Sequence, residues 1–66
     1  MVAGTVEVPA DTVWAGWVEL FDRQGVTLQV LYAVTRAGVV MWYSDGAWLE
    51  ELDVGAADAV RRTAAV

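Results

Sequence analysis

Carboxylates are the only side chains in this 66-residue chain that could do acid–base chemistry close to neutral pH. The sequence has nine Asp and Glu residues and four Arg, but no His, Cys or Lys. Imidazole, thiol and amine groups supply most general bases and nucleophiles. The single Ser, Ser44, has none of these bases to activate it. The composition therefore predicts a protein that is not an enzyme, with no catalytic residues and no cofactor.

Five of the carboxylates form an acidic run that contains no basic residue. Its members are Asp45, Glu50, Glu51, Asp53 and Asp58. The run is either a solvated face or a docking patch for a basic surface. Glu50 and Glu51 are neighbours on a predicted strand, so they point apart and cannot form a catalytic pair. Calcium would need ligands at alternate positions of a loop, and we predict no metal site.

The aromatic residues are the second group with a possible function. A small sheet cannot bury four Trp and two Tyr completely, and exposed Trp and Tyr are common interface anchors. We expect Trp17, and one of Trp42 and Tyr43, to pack in the core. The predicted partner-binding residues are Trp14, Trp48, Asp45, Glu50, Glu51 and Asp53.

Length and composition together predict that the chain is a single domain, 1–66, which associates with itself or with a partner. A chain of this size buries only about 60% of its extended surface, yet 58% of the residues are hydrophobic. The absence of Cys excludes disulfides and thiolate zinc sites. A homo-oligomer or a complex would cover the excess apolar surface. The alternative is a dense monomeric core.

The net charge of −5 argues against nucleic-acid binding, which needs clustered Lys and Arg. It favours a protein partner with a basic surface, or serves solubility alone. No segment approaches the roughly 20 apolar residues of a membrane span, and no signal-peptide pattern is visible. We therefore predict a cytoplasmic protein that does not bind membranes. The absence of Ile, Lys and Asn indicates a high-GC genome, bacterial or phage.

The pattern of residues predicts an α+β fold in the order β-α-β-β-β-α. Residues 4–8 alternate as a short strand, which Pro9 ends. An amphipathic helix is predicted over about 11–24, with Asp11 as its N-cap and Gly25 as its C-cap. The alternative for this segment is one half of a hairpin that turns at residues 22–25.

The second half of the chain predicts a small antiparallel sheet of three to four strands. Period-two alternation marks residues 26–35, and a continuous apolar run marks residues 39–43. Asp45-Gly46 is a hairpin turn that leads into a strand at 47–52. A short C-terminal helix is predicted over about 55–65. Its charges suit the helix dipole.

Residues 5–37 loosely resemble a ribbon-helix-helix regulator. The resemblance is carried by a short strand, Pro9, an amphipathic helix, and Gly25-Val-Thr-Leu28 where a second helix would begin. It implies a DNA-binding regulator or antitoxin in which Thr5 and Glu7 face the DNA groove. A carboxylate at Glu7 would repel the phosphates there.

Three functions follow from these observations. The main hypothesis is a small acidic protein–protein interaction module that acts by occupying a partner's surface. Inhibitors of host proteins, encoded by phages or mobile elements, are one class with this profile. The alternatives are a ribbon-helix-helix-like regulator or antitoxin, and a self-assembling structural component.

Overall fold

A computed structural model describes residues 6–64 of the chain. The elements are β1 (Thr12–Phe21), β2 (Thr27–Thr35), β3 (Val40–Ser44), β4 (Ala47–Glu50) and α1 (Val54–Ala64). The strands form one sheet in the order β1-β2-β3-β4, and each neighbouring pair is antiparallel. The described fold is thus α+β, with a four-stranded antiparallel sheet and one C-terminal helix.

The predicted helix over 11–24 is wrong, because this segment forms strand β1. Exposure along Thr12–Phe21 alternates residue by residue, as in a strand with one covered face. Apolar side chains occupy both faces of β1, which hides the period-two pattern, while aromatic and β-branched residues favour a strand. A helix over this segment would also contain Gly16 in its interior, and glycine lowers helix stability. The hairpin alternative is confirmed.

Residues 22–26 connect β1 to β2. The Asp22 N–H donates to the Val26 carbonyl at 3.0 Å, and the Gly25 N–H donates to the Asp22 carbonyl at 3.1 Å. Gly25 has φ 81°, the positive φ that closes such hairpins. Gly25 therefore serves a hairpin and is not a helix C-cap. The two roles need the same backbone conformation, so the sequence did not separate them.

The segment before β1 also differs from the prediction. Residues 6–9 are not in a strand, and residues 4 and 5 lie outside the described residues. Asp11 is not a helix N-cap. It lies in a turn with φ 63°, and its carbonyl accepts a hydrogen bond of 2.8 Å from the Arg36 N–H. The described order is therefore β-β-β-β-α.

The remaining elements lie close to their predicted positions. Strands β2, β3 and β4 and helix α1 begin and end within a few residues of the predicted bounds. Asp45 and Gly46 have φ 52° and 85°, so both central residues of the two-residue turn have positive φ. This is the geometry that Asp-Gly favours.

Helix α1 covers one face of the sheet, which we call the covered face. The core between the helix and this face consists of Tyr32, Val34 and Val40 from the sheet and Ala57, Val60 and Ala64 from α1. The buried side of α1 consists of Ala57, Val60 and Ala64. The side chains of Trp14 and Trp42 are partly buried and pack against this core.

Candidate functional site

The opposite face of the sheet, which we call the open face, is not covered by α1. Strand β1 contributes the alternate residues Val13, Ala15, Trp17, Glu19 and Phe21 to it. Trp17 is 56% exposed and Phe21 is 70% exposed. Two large aromatic side chains therefore lie in solvent on the same face of one strand.

The open face is apolar across most of its width. Leu31 and Ala33 of β2 form its floor and are 8% and 0% exposed. Trp17 lies opposite Leu31 on one side, and Met41 lies opposite Ala33 on the other. These residues form a continuous apolar strip on the open face, which runs from β1 across β2 to β3.

Tyr43 and Trp48 complete the strip at the other edge of the sheet. They lie opposite one another on β3 and β4, with ring centroids 5.3 Å apart and planes at 62°. Trp48 is half-buried, and its indole N–H donates to the Glu7 carbonyl at 2.7 Å. The segment around Glu7 therefore lies against this end of the open face, and the β1 end is the more accessible one.

Trp14 and Trp17 have exchanged the roles that the sequence predicts. Trp17 was expected in the core and is exposed, so that expectation is wrong. Trp14 was expected as an exposed anchor, but it is half-buried on the covered face. A Cβ atom on Gly16 would lie only 2.8 Å from Cζ2 of Trp14, which shows that the indole ring lies over this glycine. Trp14 is thus engaged in the fold.

Glu50 and Glu51 point to opposite faces, as predicted. Glu50 is exposed on the open face, opposite Met41. Glu51 belongs to the covered face, where its Oε1 accepts a hydrogen bond of 2.6 Å from the Tyr32 hydroxyl. Burial raises the pKa of Tyr32 above its usual range, and the Glu51 hydrogen bond and the charges of Glu51 and Asp53 raise it further.

The other acidic residues of the run have separate local contacts. Asp53 is the N-cap of α1, since its Oδ1 accepts hydrogen bonds from the Gly55 and Ala56 N–H groups at 2.9 and 3.2 Å. Asp45 lies in the β3–β4 turn, and Asp58 pairs with Arg61 at 2.9 Å. The members of the acidic run therefore lie in a turn, a strand end and a helix, with Glu50 and Glu51 on opposite faces of the sheet.

Sequence reasoning missed Trp17, Phe21 and Glu19 as candidate site residues. All three lie on the open face of β1. The signal was present in the hairpin alternative, because a turn at residues 22–25 makes β1 a strand and places these alternate residues on one face. Of the predicted site, Glu50 and Trp48 share that face, while Trp14 and Glu51 lie on the covered face.

The described residues offer little for metal or small-ligand chemistry. Within residues 6–64, no group of three or more acidic side chains is placed to hold a metal ion. A pocket of about 360 Å³ lies at one end of the sheet, lined by Val13, Val34, Thr35, Arg36, Gly38 and Arg61. Arg61 already binds Asp58 and the Gly38 carbonyl. The open face, with two exposed aromatic side chains, is therefore the stronger candidate site.

Comparison with known proteins identifies no relative. The chain matches no protein-family model, and neither a curated protein nor a solved structure is significantly similar to it. In the described part of the chain, no helix is long and apolar enough to cross a membrane.

Proposed function

We propose that the chain is a small acidic protein–protein interaction module that occupies a partner's surface with its open face. The observation that carries the proposal is the exposure of Trp17 and Phe21 on a sheet face that the helix leaves uncovered. Contiguous exposed apolar surface is uncommon on isolated proteins and is typical of interaction sites. Trp in particular often supplies a large share of the binding energy.

The carboxylates of the open face define the chemistry of the partner. Glu19 and Glu50 are exposed on this face, and none of the four strands contains a basic residue. A net charge of −5 adds a long-range attraction for positive charge. The partner surface is therefore apolar at its centre, with Lys or Arg at its rim. The cytoplasm is the compartment that goes with this proposal, and inhibition of a host protein is one activity of this kind.

The regulator alternative loses its structural basis. A ribbon-helix-helix fold would need helices where the chain has strands β1 and β2. Thr5 lies outside the described residues, and Glu7 is not in a strand. The self-assembling alternative retains support from the exposed apolar residues.

Capture from a lysate of the native host, with variants of the open face, tests the proposal. We expect one protein to be retained by the wild-type chain and lost with Trp17→Ala or Phe21→Ala. An aromatic hot spot is worth about 2 kcal/mol or more, so affinity should fall at least about tenfold. Leu52→Ala is the control, because Leu52 is 84% exposed and lies beyond the end of β4. Equal retention by all variants would contradict the proposal.

The captured protein then permits a test of charge. Glu19→Gln combined with Glu50→Gln removes both carboxylates of the open face at nearly constant size. The matched control is Asp45→Asn with Asp58→Asn, which changes net charge equally away from that face. We expect the first pair to slow association more than the second at low salt. The difference should fade as ionic strength approaches about 0.15 M and above. Equal effects would show that the partner does not contact this face.

A further inference from the structure

Strand β1 is a long edge strand with little of the usual protection against pairing, since its one charged side chain is Glu19. It has ten residues, and no strand within residues 6–64 pairs with its outer edge. Natural edge strands are commonly shortened or protected by Lys, Pro or a bulge. Strand β1 contains no Pro and no basic residue, and its one irregularity lies at its start, between Thr12 and Trp14.

The β1–β2 turn fixes which backbone groups of β1 point outward. The Asp22 N–H donates to the Val26 carbonyl, so this pair is hydrogen-bonded. Hydrogen-bonded and non-hydrogen-bonded pairs alternate along an antiparallel ladder. The next pair, Phe21 and Thr27, is therefore non-hydrogen-bonded. By the same alternation, the N–H and C=O groups of Ala15, Trp17, Glu19 and Phe21 point away from β2.

We propose that a second copy of this chain pairs with the outer edge of β1. The two β1 strands run antiparallel about a two-fold axis at Trp17 and form one continuous eight-stranded sheet. Both α1 helices then lie on the same side of this sheet, and the two open faces become one surface. The pairing uses the edge of the sheet and so goes beyond the proposed function of the open face.

The side chains of β1 are self-complementary in this register. Trp17 lies opposite the partner's Trp17, Val13 lies opposite the partner's Phe21, and Ala15 lies opposite the partner's Glu19. Apolar cross-strand pairs are stabilising, whereas like charges placed opposite one another are not. Here the two copies of Glu19 are kept apart.

The register with its axis at Gly16 is less favourable. An axis at Gly16 would place Glu19 opposite the partner's Val13 and would set two glycines opposite one another, without side-chain contact at the centre. A shift of one residue would pair residues from opposite faces, which a continuous sheet does not permit. The axis at Trp17 also brings Asp11, just before β1, level with the partner's Arg23.

A dimer interface of ordinary size would cover a modest part of the surface of the chain. A stable interface removes about 800 Å² from each partner, which is roughly one sixth of the 4769 Å² of exposed surface. Trp17 and Phe21 border the edge on one face, and Trp14 and Leu20 border it on the other. Stacking of two open faces would instead bury Glu19 and Glu50 against strands without a basic residue, which is costly. Edge pairing leaves these carboxylates in water.

Sedimentation equilibrium from micromolar to millimolar concentration tests the pairing with the purified chain. We expect the wild-type chain to form dimers and Ala15→Pro to stay monomeric. Proline removes a donor that points outward, so the β1–β2 ladder keeps its hydrogen bonds. Near-ultraviolet circular dichroism checks that the variant is folded. A wild-type chain that is monomeric throughout would overturn the proposal.

A second variant keeps the test valid if Ala15→Pro does not fold. Trp17→Lys puts two like charges at the axis and should abolish dimers. Leu52→Lys is its control, since it makes the same change of charge at an exposed position beyond β4. Dimers that survive Trp17→Lys would overturn edge pairing and point to another interface.

Substitutions at Ala15 test the register. Ala15→Lys places a positive charge opposite the partner's Glu19, whereas Ala15→Glu places a negative charge there. Each dimer contains the pair twice. We expect Ala15→Lys to tighten the dimer about threefold and Ala15→Glu to weaken it about threefold at low salt. Equal dissociation constants would overturn the register. Because no partner protein is involved, failure here leaves the capture experiment, and the proposed function, unaffected.

Discussion

The two faces of the sheet are built from similar residues and have opposite surroundings. Trp14 and Trp17 lie three residues apart on β1, yet one packs against the core and the other is mostly exposed. Helix α1 covers the face of Trp14, whereas on the face of Trp17 the segment around Glu7 lies against the far edge, beside Trp48. Hydrophobicity alone therefore does not determine burial in this chain, because α1 covers one face of the sheet and leaves the β1 side of the other face accessible.

The largest expected difference in stability is between a Val→Asp substitution in the core under α1 and the same substitution on the open face. Val60 on α1 is 1% exposed, whereas Val13 on β1 is 44% exposed. We expect Val60→Asp to cost more than about 4 kcal/mol of unfolding free energy, since it buries an unpaired charge. Val13→Asp should cost about 1 kcal/mol, from strand propensity and packing. Urea denaturation measures both. Comparable losses would show that the open face is also covered.

The contact between Trp14 and Gly16 gives the second largest effect. Gly16→Ala adds a Cβ atom within 2.8 Å of the indole, and we expect a loss of about 1–3 kcal/mol from overpacking. In a Trp14→Ala background the same substitution should change the free energy of unfolding little, because the indole ring that the new Cβ atom would meet is absent. A double-mutant cycle by urea denaturation measures this coupling. Additive losses would contradict the packing of Trp14 over Gly16.

Glu50 and Glu51 offer the finest comparison, because adjacent residues of one type lie on the two faces. Glu51→Ala removes the acceptor of the buried Tyr32 hydroxyl, and we expect a loss of about 1–2 kcal/mol. Glu50→Ala removes an exposed carboxylate and should change stability by less than about 0.5 kcal/mol. Thermal unfolding of both variants measures the two losses of stability. A larger effect of Glu50→Ala would reverse the assignment of faces.

The sequence predicted the second half of the fold better than the first. Strands β2 and β3 carry clear patterns, and Asp45-Gly46 permits few backbone conformations. For β1 the sequence pattern favours the wrong element, because both faces of the strand are apolar. Period two is therefore hidden, and a helical arc can be drawn through the same residues. A positive φ at Gly25 fits either element, and only pairing with β2 distinguishes them.

The candidate site could be predicted only in part. That Glu50 and Glu51 point apart follows from strand geometry alone. The exposure of Trp17 does not, because it depends on which face α1 covers, and this is decided by packing between distant parts of the chain. The role of Asp53 as N-cap depends in the same way on where α1 begins.

The meander order of the strands also bears on how fast the sheet can form. Each strand pairs with its neighbour in sequence, through a turn of a few residues. Proteins dominated by such local pairings fold faster than those with distant ones, because the entropy lost on loop closure is small. The bond from Trp48 to the Glu7 carbonyl, by contrast, joins residues 41 apart. Among the hydrogen bonds described within residues 6–64, it joins the most distant residues, and it does so on strands that short turns have already brought together.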